Sequence, residues 1–104
     1  MALLENESII KKINEFVNLN RDIFFIFSNV YIFGSIIKNK KYPHDVDLLL
    51  IYNNFSDNII NNSNIISSKL QQELNMYVDL TLLNYDELKQ TDFLKKIRKY
   101  IKIK

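Results

Sequence analysis

Asp45 and Asp47 stand two residues apart at the head of an apolar run, Leu48-Leu49-Leu50-Ile51, and a Gly34-Ser35 pair lies upstream with nine residues between Ser35 and Asp45. On a strand, residues two apart project from the same face, so the two carboxylates stand side by side and can bridge divalent cations. Two magnesium ions about 3.5–4 Å apart clamp the attacking and leaving oxygens of an in-line phosphoryl displacement, and hard cations of this kind require oxygen ligands. Asp79, within a second apolar run, is the candidate third carboxylate and the acceptor of the attacking hydroxyl's proton. Gly34 at a strand end lets a phosphate approach the backbone, the amides of the following turn present a positive dipole end, and the Ser35 hydroxyl adds a donor. Lys38, one helical turn onward, neutralises phosphate charge. The constellation reads as nucleotidyl transfer, with Gly34, Ser35 and Lys38 holding the pyrophosphate end of a triphosphate.

Each residue also has a plain structural reading. With 7 Asp in 104 residues, about 0.5 Asp-x-Asp pairs arise by chance. Gly34 serves any tight turn, Ser35 caps a short helix, Asp45 and Asp47 close a loop, Asp79 faces solvent on an edge strand, and Lys38 is an ordinary surface lysine. The functional reading rests on their joint occurrence. His44, the only histidine, reads as a loop residue, since one histidine makes no zinc site. Tyr42, Tyr52 and Tyr77 read as packing residues rather than as a base-stacking shelf.

The elements that must position these groups follow from hydrophobic periodicity. Residues 5–19 carry Ile9, Ile13, Phe16 and Val17 at three- and four-residue intervals, which predicts an amphipathic helix. Residues 23–27 either extend that helix or form an apolar connection. Residues 30–33 form a buried strand ending at the only glycine, residues 36–38 a short helical turn, and residues 39–44 a loop. The nearly continuous apolar run 46–52 predicts a strand buried on both faces. Ser56 or Asp57 caps a helix with Ile59, Ile66, Leu70 and Leu74 on one face. In a third strand, residues 77–83, Val78, Leu80 and Leu82 alternate with Tyr77, Asp79, Thr81 and Leu83. The tail places Phe93, Leu94, Ile97 and Ile101 at helical spacing, while Ile101 and Ile103 alternate with lysines as a small edge strand would. Helices alternating with strands predict an α/β (α+β) class, a small sheet flanked by helices.

Composition bounds the reading. A chain of 104 residues and 12.4 kDa with 47% hydrophobic content fills one core, so residues 1–104 are read as a single domain. Zero cysteine removes disulfides and thiolate metal sites and is compatible with a reducing cytoplasm. Acidic residues near Met1 stand where a signal peptide carries positive charge, and the longest apolar segment is interrupted by Ser28, Asn29, Gly34 and Ser35, short of the roughly 20 residues that cross a bilayer. The chain is therefore expected to be soluble and cytoplasmic, with no membrane partner. The formal net charge is +2, yet 7 of 14 basic residues fall within 89–104 against the single acid Asp92. This basic arm reads as a solvated helix face, or as a contact for an acidic partner or RNA.

Phe33-Gly34-Ser35, a loop, Asp45-Val46-Asp47 within an apolar strand and the later Val78-Asp79-Leu80 resemble the minimal nucleotidyltransferases of the polymerase β superfamily, whose usual pattern is Gly-Ser-x10-Asp-x-Asp. The resemblance covers residues 5–90. It implies a small polymerase β-like α/β fold, ATP as substrate and two Mg2+ ions. Many such proteins are antitoxins that silence HEPN-domain RNase toxins by attaching AMP to a toxin tyrosine. By the resemblance, Gly34 and Ser35 match the phosphate-binding pair, Asp45 and Asp47 the metal-binding pair, and Asp79 the third carboxylate. Three features depart from the pattern: the spacer is one residue short, Lys38 replaces the arginine of the frequent Ala-Arg-Gly, and His44 stands where a serine commonly precedes the first Asp. Lysine binds phosphate as a point charge, without arginine's bidentate fork.

Larger relatives add a helical domain that holds the acceptor, and this chain has at most some 20 residues after the third strand, so the acceptor is expected to come from elsewhere. The resemblance then implies Mg-dependent AMP transfer to a hydroxyl of a partner protein, the HEPN-type toxin; a neighbouring reading frame encoding an all-helical protein with an Arg-x4-6-His motif would discriminate this reading. Two other classes stay open. One is a catalytically idle antitoxin that works by binding alone. The other is the catalytic subunit of a two-component enzyme for small molecules or RNA ends. Nucleic acid is a possible partner but not the favoured one.

Overall fold

The computed structural model describes residues 5–38 and 45–104. The expected loop 39–44, with Tyr42 and His44, lies outside the described residues. The elements run α1 (Glu5–Leu19), α2 (Arg21–Phe24), β1 (Phe27–Phe33), a 3-10 turn (Gly34–Ile36), β2 (Asp45–Tyr52), α3 (Asp57–Leu74), β3 (Tyr77–Asn84), α4 (Tyr85–Thr91), α5 (Phe93–Ile97) and β4 (Ile101–Lys102).

The four strands form one mixed sheet in the order β3-β2-β1-β4. β1 pairs antiparallel with β2 and β4, and β2 pairs parallel with β3. A parallel pair needs a crossover, which α3 supplies between β2 and β3. Helices α1 and α3 cover one face: Ile9, Ile13, Phe16 and Val17 of α1 and Ile59, Ile66 and Leu70 of α3 join Val30, Ile32, Val46, Leu48, Leu50 and Val78 in the core. These are the positions the periodicities pick out.

β2 is the centre of the molecule. Leu48, Leu49, Leu50 and Ile51 are all 0% exposed, so the strand is buried on both faces as its unbroken apolar run predicts. Burying a leucine or isoleucine fully stabilises by about 1.5–3 kcal/mol relative to leaving it exposed. On the second face, Phe93 of α5 packs edge-on against Phe33 with ring centroids 5.3 Å apart, and Tyr100 does the same against Tyr31 at 5.4 Å.

Several polar side chains fix the element ends. Asn62 Nδ2 donates to Ile23 O, tying α3 to α2, and Gln71 Oε1 accepts from Val78 N, tying the end of α3 to β3. Ser56 occupies the N-cap position of α3 without a side-chain capping bond, and Asn75 ends the helix with φ 53°. Among the described residues no buried side-chain nitrogen or oxygen lacks a hydrogen-bond partner, as a well-formed interior requires.

The departures from the expected boundaries are local. Residues 23–27 divide into the end of α2, a turn at Phe25 and Ile26, and the first residue of β1, which begins three residues earlier than expected, with a register irregularity between Phe27 and Asn29. The tail forms two short helices separated at Asp92, which adopts a left-handed conformation, φ 53°, and the helical spacing read as far as Ile101 ends at Ile97. β4 pairs with Tyr31 and Ile32 at the sheet edge, the edge strand that the alternation of Ile101 and Ile103 with lysines indicates.

Candidate functional site

The sheet register brings the acidic residues to one place. Asp47 of β2 is paired with Asp79 on β3 and with Phe33 on β1, and Asp45 is paired with Tyr77. Because in-register neighbours project to the same side, and residues two apart on one strand do too, Asp45, Asp47 and Asp79 share a face. That face is opposite the one carrying Val46, Leu48 and Val78 into the core. The alternation of β3 thus puts Asp79 away from its apolar neighbours, and the parallel pairing sets it beside Asp47.

β1 runs antiparallel to β2, so its last residue, Phe33, delivers Gly34 to the same end of the sheet. Gly34 has φ 81°, and a Cβ built on it would lie 2.1 Å from Asp47 Oδ2 and 2.9 Å from its Cγ. A side chain here would displace the Asp47 carboxylate. Glycine is required twice over, by conformation and by space.

The turn after Gly34 is closed by Ile37 N and Lys38 N, which both donate to Gly34 O, at 3.1 and 3.0 Å. Ser35 Oγ donates a long bond (3.4 Å) to Asp45 O, linking the turn to the start of β2. Buried Ile36 anchors the turn in the core, and Asn6 Nδ2 of α1 donates to Ile36 O at 3.2 Å. Gly34, Ser35 and the carboxylates are therefore held on a rigid frame, with exposed Lys38 at its edge.

The electrostatics follow from the register. Asp47 is half-buried, and its pKa is raised first by burial, then by the like charges of Asp79 and Asp45. A desolvated carboxylate facing two others is an environment that a cation relieves. The donor set is all oxygen and suits a hard divalent ion such as Mg2+ rather than zinc. Among the described residues no three His, Cys, Asp or Glu side chains close into a ready-made cation cage. Asp45, Asp47 and Asp79 share one face as candidate ligands.

Two features escaped the sequence reading. Tyr77, read there as a packing residue, is 64% exposed and shares the acidic face beside Asp45, whereas Tyr52 is buried with its hydroxyl 3.5 Å from Glu87 Oε1. The alternation of β3, which puts Tyr77 in phase with Asp79, was the available signal. Arg98, treated only as one charge of the basic arm, has a left-handed backbone, φ 64°; no local sequence signal marks it.

A mixed four-stranded sheet flanked by helices, with this order and these pairings, is the polymerase β-like nucleotidyltransferase fold. The chain belongs to the Polymerase beta, Nucleotidyltransferase family, whose family model matches residues 11–103. No curated protein matches its sequence. Several solved structures share its fold. A chain from the structure of the tri-AMPylated Shewanella oneidensis HEPN toxin in complex with MNT antitoxin gives a TM-score of 0.59 at 20% identity, over 92% of this chain and 71% of that one. A toxin–antitoxin structure with AMP-PNP gives 0.61 at 21% identity, over 88% of this chain and 71% of that one. A protein from Sulfolobus solfataricus gives 0.57 at 19% identity, over 93% and 80%. At these identities the likeness is one of fold.

Proposed function

We propose that residues 1–104 act as one Mg-dependent nucleotidyltransferase domain that transfers AMP from ATP to a tyrosine hydroxyl of a partner protein, and that the partner is a HEPN-type toxin. The observation that carries the chemistry is the register: Asp47 lies between Asp79 on one side and Gly34 on the other. The family supports nucleotidyl transfer. The partner and the adenylyl group are supported by the structures of like fold, one a tri-AMPylated HEPN toxin with an MNT antitoxin and one a toxin–antitoxin with AMP-PNP.

In this reading the Gly34 backbone, the turn amides and Ser35 Oγ cradle the phosphates, and Lys38 neutralises their charge. Asp45 and Asp47 would hold Mg2+, which when bound would withdraw charge from the phosphate oxygens. The partner hydroxyl attacks the α-phosphorus in line, a new P–O bond forms, the bond to the β-phosphate breaks, and pyrophosphate leaves. Asp79 accepts the hydroxyl proton. Small-residue packing at Gly34 keeps the phosphates and the carboxylates within one site.

The test is direct. Purified protein, ATP, Mg2+ and the HEPN-type partner should yield a partner heavier by one or more AMP units in intact-mass spectra, and Asp45→Ala or Asp47→Ala should reduce transfer to the no-enzyme level. Undiminished modification by these variants would overturn the assignment. Protection of cells by an Asp45→Asn, Asp47→Asn double variant would instead indicate an antitoxin that works by binding alone.

A further inference from the structure

β3 is the last strand on its side of the sheet, and its whole length, Tyr77–Asn84, pairs in unbroken register with β2. Alternate residues of such a strand turn their N–H and C=O groups to opposite edges. Val78 N donates to Gln71 Oε1 at 3.1 Å and Asn84 N to Glu87 Oε1 at 3.0 Å, neither acceptor being on β2, so the even-numbered residues face outward. Leu80 and Leu82 lie between these two closed ends. Among the described residues nothing bonds to their outward N–H and C=O groups, which leaves two donors and two acceptors open in a row.

Sheet edges are commonly blunted by a lysine, a proline or a bulge, and β3 carries none of these: it reads Tyr-Val-Asp-Leu-Thr-Leu-Leu-Asn. Its one charge, Asp79, belongs to the acidic face. α4 does not run along the edge, because the Tyr85 hydroxyl at its start lies 2.9 Å from Ser28 Oγ and 3.1 Å from Asn29 Oδ1, back at β1. The other side of the sheet is closed by contrast, with β4 and Lys104 bonded to β1.

The open groups adjoin the chemistry. Asp79 immediately precedes Leu80, and Thr81 and exposed Tyr77 share its face by alternation. A strand added outside β3 would lie about 4.8 Å from it, with alternate side chains on that same face. A side chain set opposite Asp79 then stands beside the carboxylates while the backbone next to it bonds to Leu80 and Leu82.

We propose that the partner segment that receives AMP binds as an extended strand along the outer edge of β3, paired with Leu80 and Leu82, and sets its tyrosine opposite Asp79. The inference rests on the adenylyl-transfer reading and names the form in which the acceptor is presented. The tyrosine hydroxyl attacks the α-phosphorus, its proton passes to Asp79, and pyrophosphate leaves as the new P–O bond forms. Main-chain bonds supply the affinity of such an added strand, and register supplies the selection: a slip of one residue turns the tyrosine to the opposite face. A second copy of this chain on the same edge would set two acidic faces side by side, like charge against like.

Hydrogen exchange of the Leu80 and Leu82 amides tests it, read by NMR on the isotope-labelled protein with Mg2+ and a non-hydrolysable ATP analogue, with and without the HEPN-type partner. Both amides should exchange as open groups in the protein alone and about tenfold more slowly or better in the complex, the scale of one hydrogen bond. Leu82→Pro removes an outward donor and spares the ladder to β2, as proline on an edge strand does. Its kcat/KM for AMP transfer to the partner should fall about tenfold, with wild-type affinity for the analogue. Unchanged exchange at both amides in a complex that becomes modified, or a wild-type kcat/KM for Leu82→Pro, would overturn the edge and leave adenylyl transfer standing. Slowed amides in a complex that never carries AMP would overturn both. Slowing that grows with protein concentration in the absence of the partner would assign the edge to a second copy and overturn the proposal.

Discussion

A single methyl group on Gly34 tests the geometry of the site. Gly34→Ala forces φ 81° on an alanine and drives its Cβ into the Asp47 carboxylate. The left-handed conformation alone costs roughly 1–2 kcal/mol, so the unfolding free energy from urea titration should fall by that amount or more, and nucleotide binding should weaken because Asp47 must move. Asp47 carries a second prediction. Its folded pKa is raised by burial, Asp79 and Asp45, so the folded state binds its proton more tightly than the unfolded chain does. The stability this confers is present below the usual carboxylate range and is lost as pH rises through the raised value. In the absence of divalent cations, Asp47→Asn should therefore melt above wild type at neutral pH, and the gap should close as pH falls through the acidic range. Thermal melts in chelator at several pH values decide it; a gap that widens on acidification refutes the electrostatic account.

At the scale of elements, caps and breaks decide the tail. Asn84 caps α4 with a complete capping box: its side chain accepts from Glu87 N at 2.8 Å and Glu87 Oε1 accepts from Asn84 N at 3.0 Å. Asn84→Ala should cost about 1 kcal/mol, read as a shift of the urea midpoint at unchanged slope. The helices of the core were legible because α1 and α3 each bury one periodic stripe. α4 and α5 were not separable by periodicity. The helical spacing read in the tail was that of Phe93, Leu94, Ile97 and Ile101, and the break between α4 and α5 comes from the backbone at Asp92, a residue that tolerates the left-handed region without demanding it. The early start of β1 at Phe27 was equally hidden, since a short apolar run reads alike as helix and strand until a neighbouring strand pairs with it.

Across the whole molecule, the last residues close the sheet begun near the first helices. Val30 N donates to Lys104 O, Ile103 N and Lys104 N donate to Val30 O, and Lys104 Nζ donates to Phe24 O and Phe27 O. The basic arm is thus part of the fold and not only a solvated extension. Ile103→Pro removes the 2.8 Å bond to Val30 O, because proline has no N–H. It should destabilise by about 1 kcal/mol or more and bare the β1 edge, which invites self-association. Urea unfolding and sedimentation velocity check the two effects. Among the described residues no helix is long and apolar enough to cross a membrane.

The sequence by itself determined the central strand, the two core helices and the candidate chemistry, because these are written in local spacing: period two for Asp45 and Asp47, a lone glycine before a serine, and near-unbroken hydrophobicity from Leu48 to Ile51. It also placed Asp79 out of phase with its apolar neighbours. Only the tertiary structure decided that β3 runs parallel to β2 with Asp79 opposite Asp47, that Gly34 abuts that carboxylate, and that Lys38 meets Arg98 in one cavity. Those facts depend on strand register and on packing between residues tens of positions apart, which no local pattern encodes.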